Sequence, residues 1–278
     1  MSTILTDTSP ENMTIAIEEN LAAWIPVFGK MGFYNQSKGA HLKRSITNIQ
    51  SGLFNSIMDA RLEPEQAQAT IQAILTDATR RKIPLLWWTG PTTRPVDLGD
   101  RLVAHGFQLE DDGSGMAVDL TDLDESLPTP AGFSIQLAQG EAAFEHWVRV
   151  MFTGFEVPDD SATASRAAWL QLLKITDPDK VMVYTGWLED QAVACSLLFL
   201  EAGVAGLYAV ATVPAARRKG VGGMMTLHPL LHARSLGFRA GILQASEMGK
   251  GVYSSVGFKD YCQIRSYRWK PVDKAKAE

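Results

Sequence analysis

The chain has 278 residues, 46% of them hydrophobic, enough apolar material for one large or two modest packed domains. Its formal net charge of −5 supplies no overall basic field to recruit nucleic acid. The two cysteines, Cys195 and Cys262, stand far apart in strand-like runs, so neither a disulfide framework nor a cysteine zinc site is expected.

The opening "MSTILTDTSPENM" has no basic start and no apolar core, and no apolar run reaches the length of a membrane span. A cytoplasmic protein without a membrane partner is expected. "EPEQAQATIQAILTDATRR" (63–81) is amphipathic at helical spacing, with Pro64 suited to a first turn. A strand at 83–88, a short helix at 98–107 closed by Gly106, and a strand at 115–120 follow. "TDLDESLPTPAG" (121–132) is acidic, contains proline and lacks periodicity, so it reads as a linker. It divides the chain into a first domain at 1–120 and a second at 133–272.

The second part alternates more clearly. A strand at 133–138 leads to a helix at 141–152 with Phe144, Trp147, Val148 and Met151 on one face. A second helix at 161–174 is capped by Asp160 or Ser161. "VMVYTGWL" and "QAVACSLLFL", separated only by Glu189 and Asp190, predict a hairpin. A central strand at 204–213, a helix after Gly220, a strand at 239–246, a short helix around Tyr253 and a last strand pair at 259–269 complete the order. This mixture predicts an α/β fold built on a mixed sheet. The halves echo each other: Pro64 precedes "GF" at 106–107 much as Pro214 precedes "GF" at 257–258. Counted from those prolines, Ala67, Thr70 and Gln72 stand where the second half has Arg217, Gly220 and Gly222, and counted back from "GF", Leu102 stands where it has Tyr253.

"RRKGVGG" (217–223) sits where a strand turns into a helix. No Walker string occurs, and the dinucleotide fingerprint fails at Met225. What remains is a helix N-terminus with unpartnered N–H groups and a dipole that favours an anion. Gly220, Gly222 and Gly223 remove the Cβ atoms that would keep a phosphate away, and Arg217, Arg218 and Lys219 add positive charge.

"VATVPAARRKGVGG" (210–223) resembles the acetyl-CoA loop of the GNAT superfamily of N-acetyltransferases, with Arg217, Gly220 and Gly222 in the three defining places. "LQASEMGKGVYSSVGF" (243–258) resembles that family's strand, short helix and "Y-x-x-x-G-F". The resemblance covers about residues 132–270. It implies two GNAT-like domains, each a central mostly antiparallel sheet flanked by helices, the first degenerate and without a cofactor loop. In the second it implies a splayed strand pair whose open strand offers the backbone of Val210, Ala211, Thr212 and Val213 to the pantetheine arm. The loop Arg217, Arg218, Lys219, Gly220, Val221, Gly222 and Gly223 would hold the pyrophosphate. Ser246, where family members often carry asparagine, would bond the cofactor.

The reaction so implied is acetyl transfer from acetyl-CoA to a primary amine of a small molecule or peptide. Tyr253 matches the family's general acid, because a phenol is protonated at neutral pH and can reprotonate the leaving thiolate. The base is open. Residues 203–213 hold no carboxylate, and Glu156, Asp159 and Asp160 lie in the loop that borders the acceptor site in the family. No metal is expected, since His228 and His232 alone are a weak ligand set. The competing reading is a non-catalytic acetyl-CoA binding or sensor module in which Tyr253 is structural.

Overall fold

The computed structural model describes residues 3–36 and 42–271. Its helices and strands, in chain order, are α1 (Pro10–Ala22), α2 (Trp24–Gly29), β1 (Phe33–Gln36), β2 (Lys43–Ile46), β3 (Ser56–Met58), α3 (Pro64–Arg81), β4 (Leu85–Thr89), α4 (Leu98–Ala104) and β5 (Gln108–Asp119). There follow β6 (Phe133–Leu137), α5 (Glu141–Gly154), α6 (Asp159–Ile175), β7 (Val181–Leu188), β8 (Gln191–Glu201), β9 (Val204–Thr212), α7 (Val221–Ser235), β10 (Ala240–Ala245), α8 (Glu247–Val256) and β11 (Lys259–Trp269). The expected strand pair at 259–269 is one unbroken strand.

The residues gather into two compact units that a single cut through the chain does not produce. One comprises Met1–Ala23 with Ser114–Cys262, the other Trp24–Gly113 with Gln263–Glu278. The division differs from a partition at 121–132 because β5 and β11 each begin in one unit and end in the other. Strand pairing is a long-range choice that local periodicity does not encode.

In the first unit the sheet order is β5–β10–β9–β8–β7–β6, β5 contributing residues 114–119. Neighbours are antiparallel except β9 and β10, which are parallel and joined by the crossover helix α7. Met225, Leu227 and Leu230 of α7 and Val256 of α8 form a buried core with Leu198, Leu207, Leu243 and Met116 on one sheet face. On the other face lie α5 and α1. Trp147 of α5 is fully buried and its indole N–H donates to the Ser196 carbonyl at 3.0 Å. Asn20 of α1 is also fully buried. Its amide nitrogen donates to the Phe199 and Glu201 carbonyls at 3.3 and 2.8 Å, and its oxygen accepts the Tyr208 hydroxyl at 2.7 Å. A polar side chain at that depth is tolerable only with its partners present. Gly206 makes room for it, since a Cβ there would lie 2.1 Å from the Asn20 Oδ1.

The segment expected as a linker is packed. Leu123 is buried, Glu125 pairs with Arg234 at 2.7 Å, and the Asp124 amide donates to the Val256 carbonyl at 3.2 Å. Proline and charge suppress helical periodicity there without preventing contact with α7 and α8.

In the second unit the order is β1–β2–β3–β4–β11–β5. Here β3 and β4 are the parallel pair and α3 is the crossover, burying Ile71, Ile74 and Leu75 against Ile57, Trp87 and Phe107. Gly106 and Gly257 both adopt positive φ, +88° and +111°, just before β5 and β11. The proline echo does not survive. Pro64 starts α3 itself, whereas Pro214 starts a single 3-10 turn and α7 begins only at Val221. Ala67, Thr70 and Gln72 therefore lie inside α3 rather than opposite a loop. Leu102 is buried in α4.

Candidate functional site

The site begins with a strand pair that separates. β9 and β10 pair only at Ala205–Gly241 and Gly206–Ile242. Beyond that point Leu243, Gln244 and Ala245 stay paired to Met116, Gly115 and Ser114 of β5, while β9 follows β8 away. The divergence has a local cause. Leu197 faces Tyr208 and Cys195 faces Ala211, so β9 carries one extra residue there. Ala209 takes φ +49° within this bulge, and its carbonyl accepts the Cys195 thiol at 3.3 Å. A bulge bends its strand and sharpens the local twist. An alanine held in the left-handed region costs on the order of 1 kcal/mol, which places local strain at the mouth of the split.

The open strand, with Val210, Ala211, Thr212 and Val213 at its end, runs into the glycine loop. Val213 is tied back to β8 through its amide and the Val193 carbonyl at 2.9 Å. Arg218 and Gly220 take φ +63° and +80°, turning the chain into α7 with Gly220 as its N-cap. Gly222 and Gly223 then occupy its first turn beside Val221, where each glycine costs about 1 kcal/mol of helix stability relative to alanine. Their amides have no partner within the helix. The Gly222 backbone looks outward: an added Cβ would touch only Val252 of α8, at 3.6 Å. Gly220 and Gly223 are flanked by Pro128, Pro130 and Leu127.

The three cations divide. Arg218 and Lys219 are exposed and hold no ion pair or hydrogen bond among the described residues. Arg217 turns inward: its guanidinium donates to the Thr212 carbonyl at 3.1 Å, the Gly154 carbonyl at 2.8 Å and the Glu156 carboxylate at 3.3 Å.

Tyr253 projects from α8, which lies beside the loop through Val252. Its ring meets Phe258 edge-on at 6.2 Å and fits over Gly249, whose Cβ would come within 2.9 Å of it. The phenol is half-buried, has no hydrogen-bond partner among the described residues, and is pushed up to about 12 by burial. It is therefore a proton donor throughout the neutral range. Ser246 is the exposed N-cap of α8, its carbonyl accepting the Gly249 and Lys250 amides while its hydroxyl makes no cap bond.

Of the carboxylates considered, Glu156 sits at φ +53° just past α5, paired with Arg217. The side chains of Asp159 and Asp160 lie outside the described residues, as does that of Ser161. His228 and His232 stand beside Tyr184, whose hydroxyl lies 2.6 Å from His232 Nδ1. Burial first, and then His232, lower the His228 pKa. No group of three histidine, cysteine or acidic side chains that could hold a metal occurs among the described residues.

For two residues of the split the surroundings could not be read from the sequence. Gln244, two positions past the last β9–β10 pair, carries an enclosed amide nitrogen without a hydrogen-bond partner among the described residues. Tyr208 is bonded to Asn20, some 188 positions away in sequence. No local signal could pair them.

Residues 122–243 match the family model described as "Acetyltransferase (GNAT) domain". Among curated proteins none matches the chain. Among solved structures, a GCN5-related N-acetyltransferase from Kribbella flavida aligns at TM-score 0.70 and 15% identity, over 92% of this chain and 96% of that one. One from Sphaerobacter thermophilus aligns at 0.59 and 14%, over 98% and 97%. A tandem GNAT protein from the clavulanic acid biosynthesis pathway aligns at 0.53 and 14%, over 78% and 76%. At these identities the likeness is one of fold. No helix among the described residues is long and apolar enough to cross a membrane.

Proposed function

We propose, for a chain whose residues 122–243 match a GNAT acetyltransferase domain, that the first unit transfers an acetyl group from acetyl-CoA to a primary amine of a small molecule or peptide. The observation that carries this reading is the split between β9 and β10, opened by the bulge at Ala209 and ending on the glycine-rich start of α7. An open strand edge suits the amide-bearing pantetheine arm, which can add to it as another strand would. The backbone of Val210 and Ala211 is the edge assigned to that arm, whereas Val213 already has its amide on the Val193 carbonyl and its carbonyl on the Ala216 amide. The Thr212 carbonyl already accepts Arg217, so this residue has its amide to offer. The amides of Val221, Gly222 and Gly223, with Arg218 and Lys219, suit the pyrophosphate. Ser246 lies at the start of α8 on the same side of the sheet.

The amine nitrogen attacks the thioester carbon, the carbon–sulfur bond breaks, and the thiolate takes a proton from Tyr253. The amine's extra proton passes to solvent, since the open strand carries no carboxylate. That same absence favours the second reading, an acyl-CoA binding module without turnover. The second unit is read as a degenerate GNAT-like domain: its parallel pair and crossover repeat the arrangement, but α3 starts at Pro64 between Glu63 and Glu65, which repel a phosphate.

Two measurements on the full-length protein separate these readings. Calorimetry with CoA should give one site per chain. Thiol release from acetyl-CoA should rise with an accepted amine among spermidine, glucosamine and L-lysine peptides. CoA binding without amine-dependent release supports the binding module; no CoA binding ends both.

A further inference from the structure

Arg217, a cation expected at the phosphate, bonds two separate parts of the site, the end of β9 and the end of α5. We propose that Arg217 is a positioning residue: it ties the turn at 155–157 to the end of the open strand, so that CoA binding along β9 orders the turn on the opposite sheet face. The proposal rests on the reading that CoA binds at β9 and the glycine loop.

The backbone of Arg217 belongs to the cofactor loop, in extended conformation just before Arg218. Its side chain leaves that loop. Nε donates to the Thr212 carbonyl at 3.1 Å, Nη2 to the Gly154 carbonyl at 2.8 Å, and Nη1 to Glu156 Oε1 at 3.3 Å. The Gly154 bond neutralises a carbonyl at the C-terminal end of α5, where the helix dipole favours a cation. Gly154 also abuts the strand directly. A Cβ on it would lie 2.8 Å from the Ala211 Cβ and 3.2 Å from the Thr212 nitrogen. Glu156 then takes φ +53°, which turns the chain sharply away. One planar fork thus joins strand end, helix end and turn.

The two sheet faces give this bracket its meaning. α7 and α8, with the glycine loop and Tyr253, lie on one face, and α5 lies on the other. An amine attacking a thioester held along β9 must approach from the side the cofactor leaves open, where the turn at 155–157 lies. Restraint of Thr212 by the pantetheine arm restrains Arg217, and through it Gly154 and Glu156. Coupling of this kind is reciprocal, so an ordered turn also favours the cofactor. Lysine cannot replace the fork, because a single ammonium cannot span three acceptors spread around a planar group.

Hydrogen exchange reads the coupling without any acceptor. The Phe155, Glu156 and Val157 amides donate to the Met151, Thr153 and Phe152 carbonyls, so their exchange reports opening of this turn. The full-length wild type, Arg217→Met and Arg217→Lys are compared with and without CoA, with affinities measured by calorimetry. CoA should slow exchange at 155–157 by about fivefold or more in the wild type, the lower end of typical coupling. Both variants should bind CoA within about fivefold of wild type and lose that protection. Glu156→Gln should weaken it partially. Protection that persists in the variants, or a larger loss of CoA affinity in Arg217→Met that Arg217→Lys restores, overturns the proposal in favour of a phosphate-binding charge. If Arg217→Met does not fold, Arg217→Lys and Glu156→Gln decide by the same criterion. A wild type that binds no CoA overturns the reading beneath it instead.

Discussion

Gly222→Asp sets stability against binding, because the same carboxylate should help the one and harm the other. Gly222 has no positive φ, and an added Cβ meets only Val252, at the ordinary contact distance of 3.6 Å. The side chain therefore fits without displacing backbone. At the second position of α7 it faces the positive end of the helix dipole, worth about 0.3–1 kcal/mol of stabilisation. Toward a pyrophosphate the sign reverses. Two phosphate charges about 5 Å from the carboxylate repel it by roughly 0.8 kcal/mol each in water, and by more at the lower effective dielectric of a protein surface. The sum of at least about 1.6 kcal/mol exceeds the roughly 1.4 kcal/mol of a tenfold affinity loss. Calorimetry with CoA and a thermal melt of the apo protein measure both arms. An affinity within threefold of wild type in a folded variant would refute the loop assignment. A fall in melting temperature matching the loss of affinity would show that the glycine is structural.

Three further outcomes follow from single contacts. Tyr253→Phe should lower kcat by about 10²–10⁴-fold and leave CoA affinity and stability nearly unchanged, since the hydroxyl has no partner to lose among the described residues; turnover within threefold of wild type would remove Tyr253 as the acid. Asn20→Ala should destabilise the first unit by about 2–4 kcal/mol, because it empties a buried site and removes the bonds to the Tyr208 hydroxyl and two strand carbonyls; a urea midpoint equal to wild type would mean that α1 is not docked there. Burial raises Tyr253 and Cys262 to about 12 from their ordinary values of 10.0 and 9.0, so the folded state holds protons that the unfolded chain releases. Their stabilisation is complete below about pH 9 and is lost as pH rises toward 12; urea midpoints that stay flat from pH 9 to 11 would contradict this.

The sequence by itself determined most elements of the second half and the place of the glycine-rich turn between strand and helix. Glu189 and Asp190 between two β-rich runs are the hairpin turn of β7 and β8, and the amphipathic pattern at 63–81 is α3. The glycines at 220, 222 and 223 and Tyr253 were legible because each reflects a local requirement: a positive φ, a bare first turn, or a short helix after a strand. Tertiary structure decided whatever depends on residues far apart in the chain. It tied Pro10–Ala22 to β8 and β9 through Asn20. It let β5 and β11 each serve both units, which no linear cut reproduces. It also gave the Arg217 guanidinium its bonds to Thr212, Gly154 and Glu156. A guanidinium is drawn to whichever acceptors the fold brings within reach, and its position in a motif does not fix which those are. Backbone conformation at a glycine is written in its own residue; the direction of a long charged side chain is written in its neighbours.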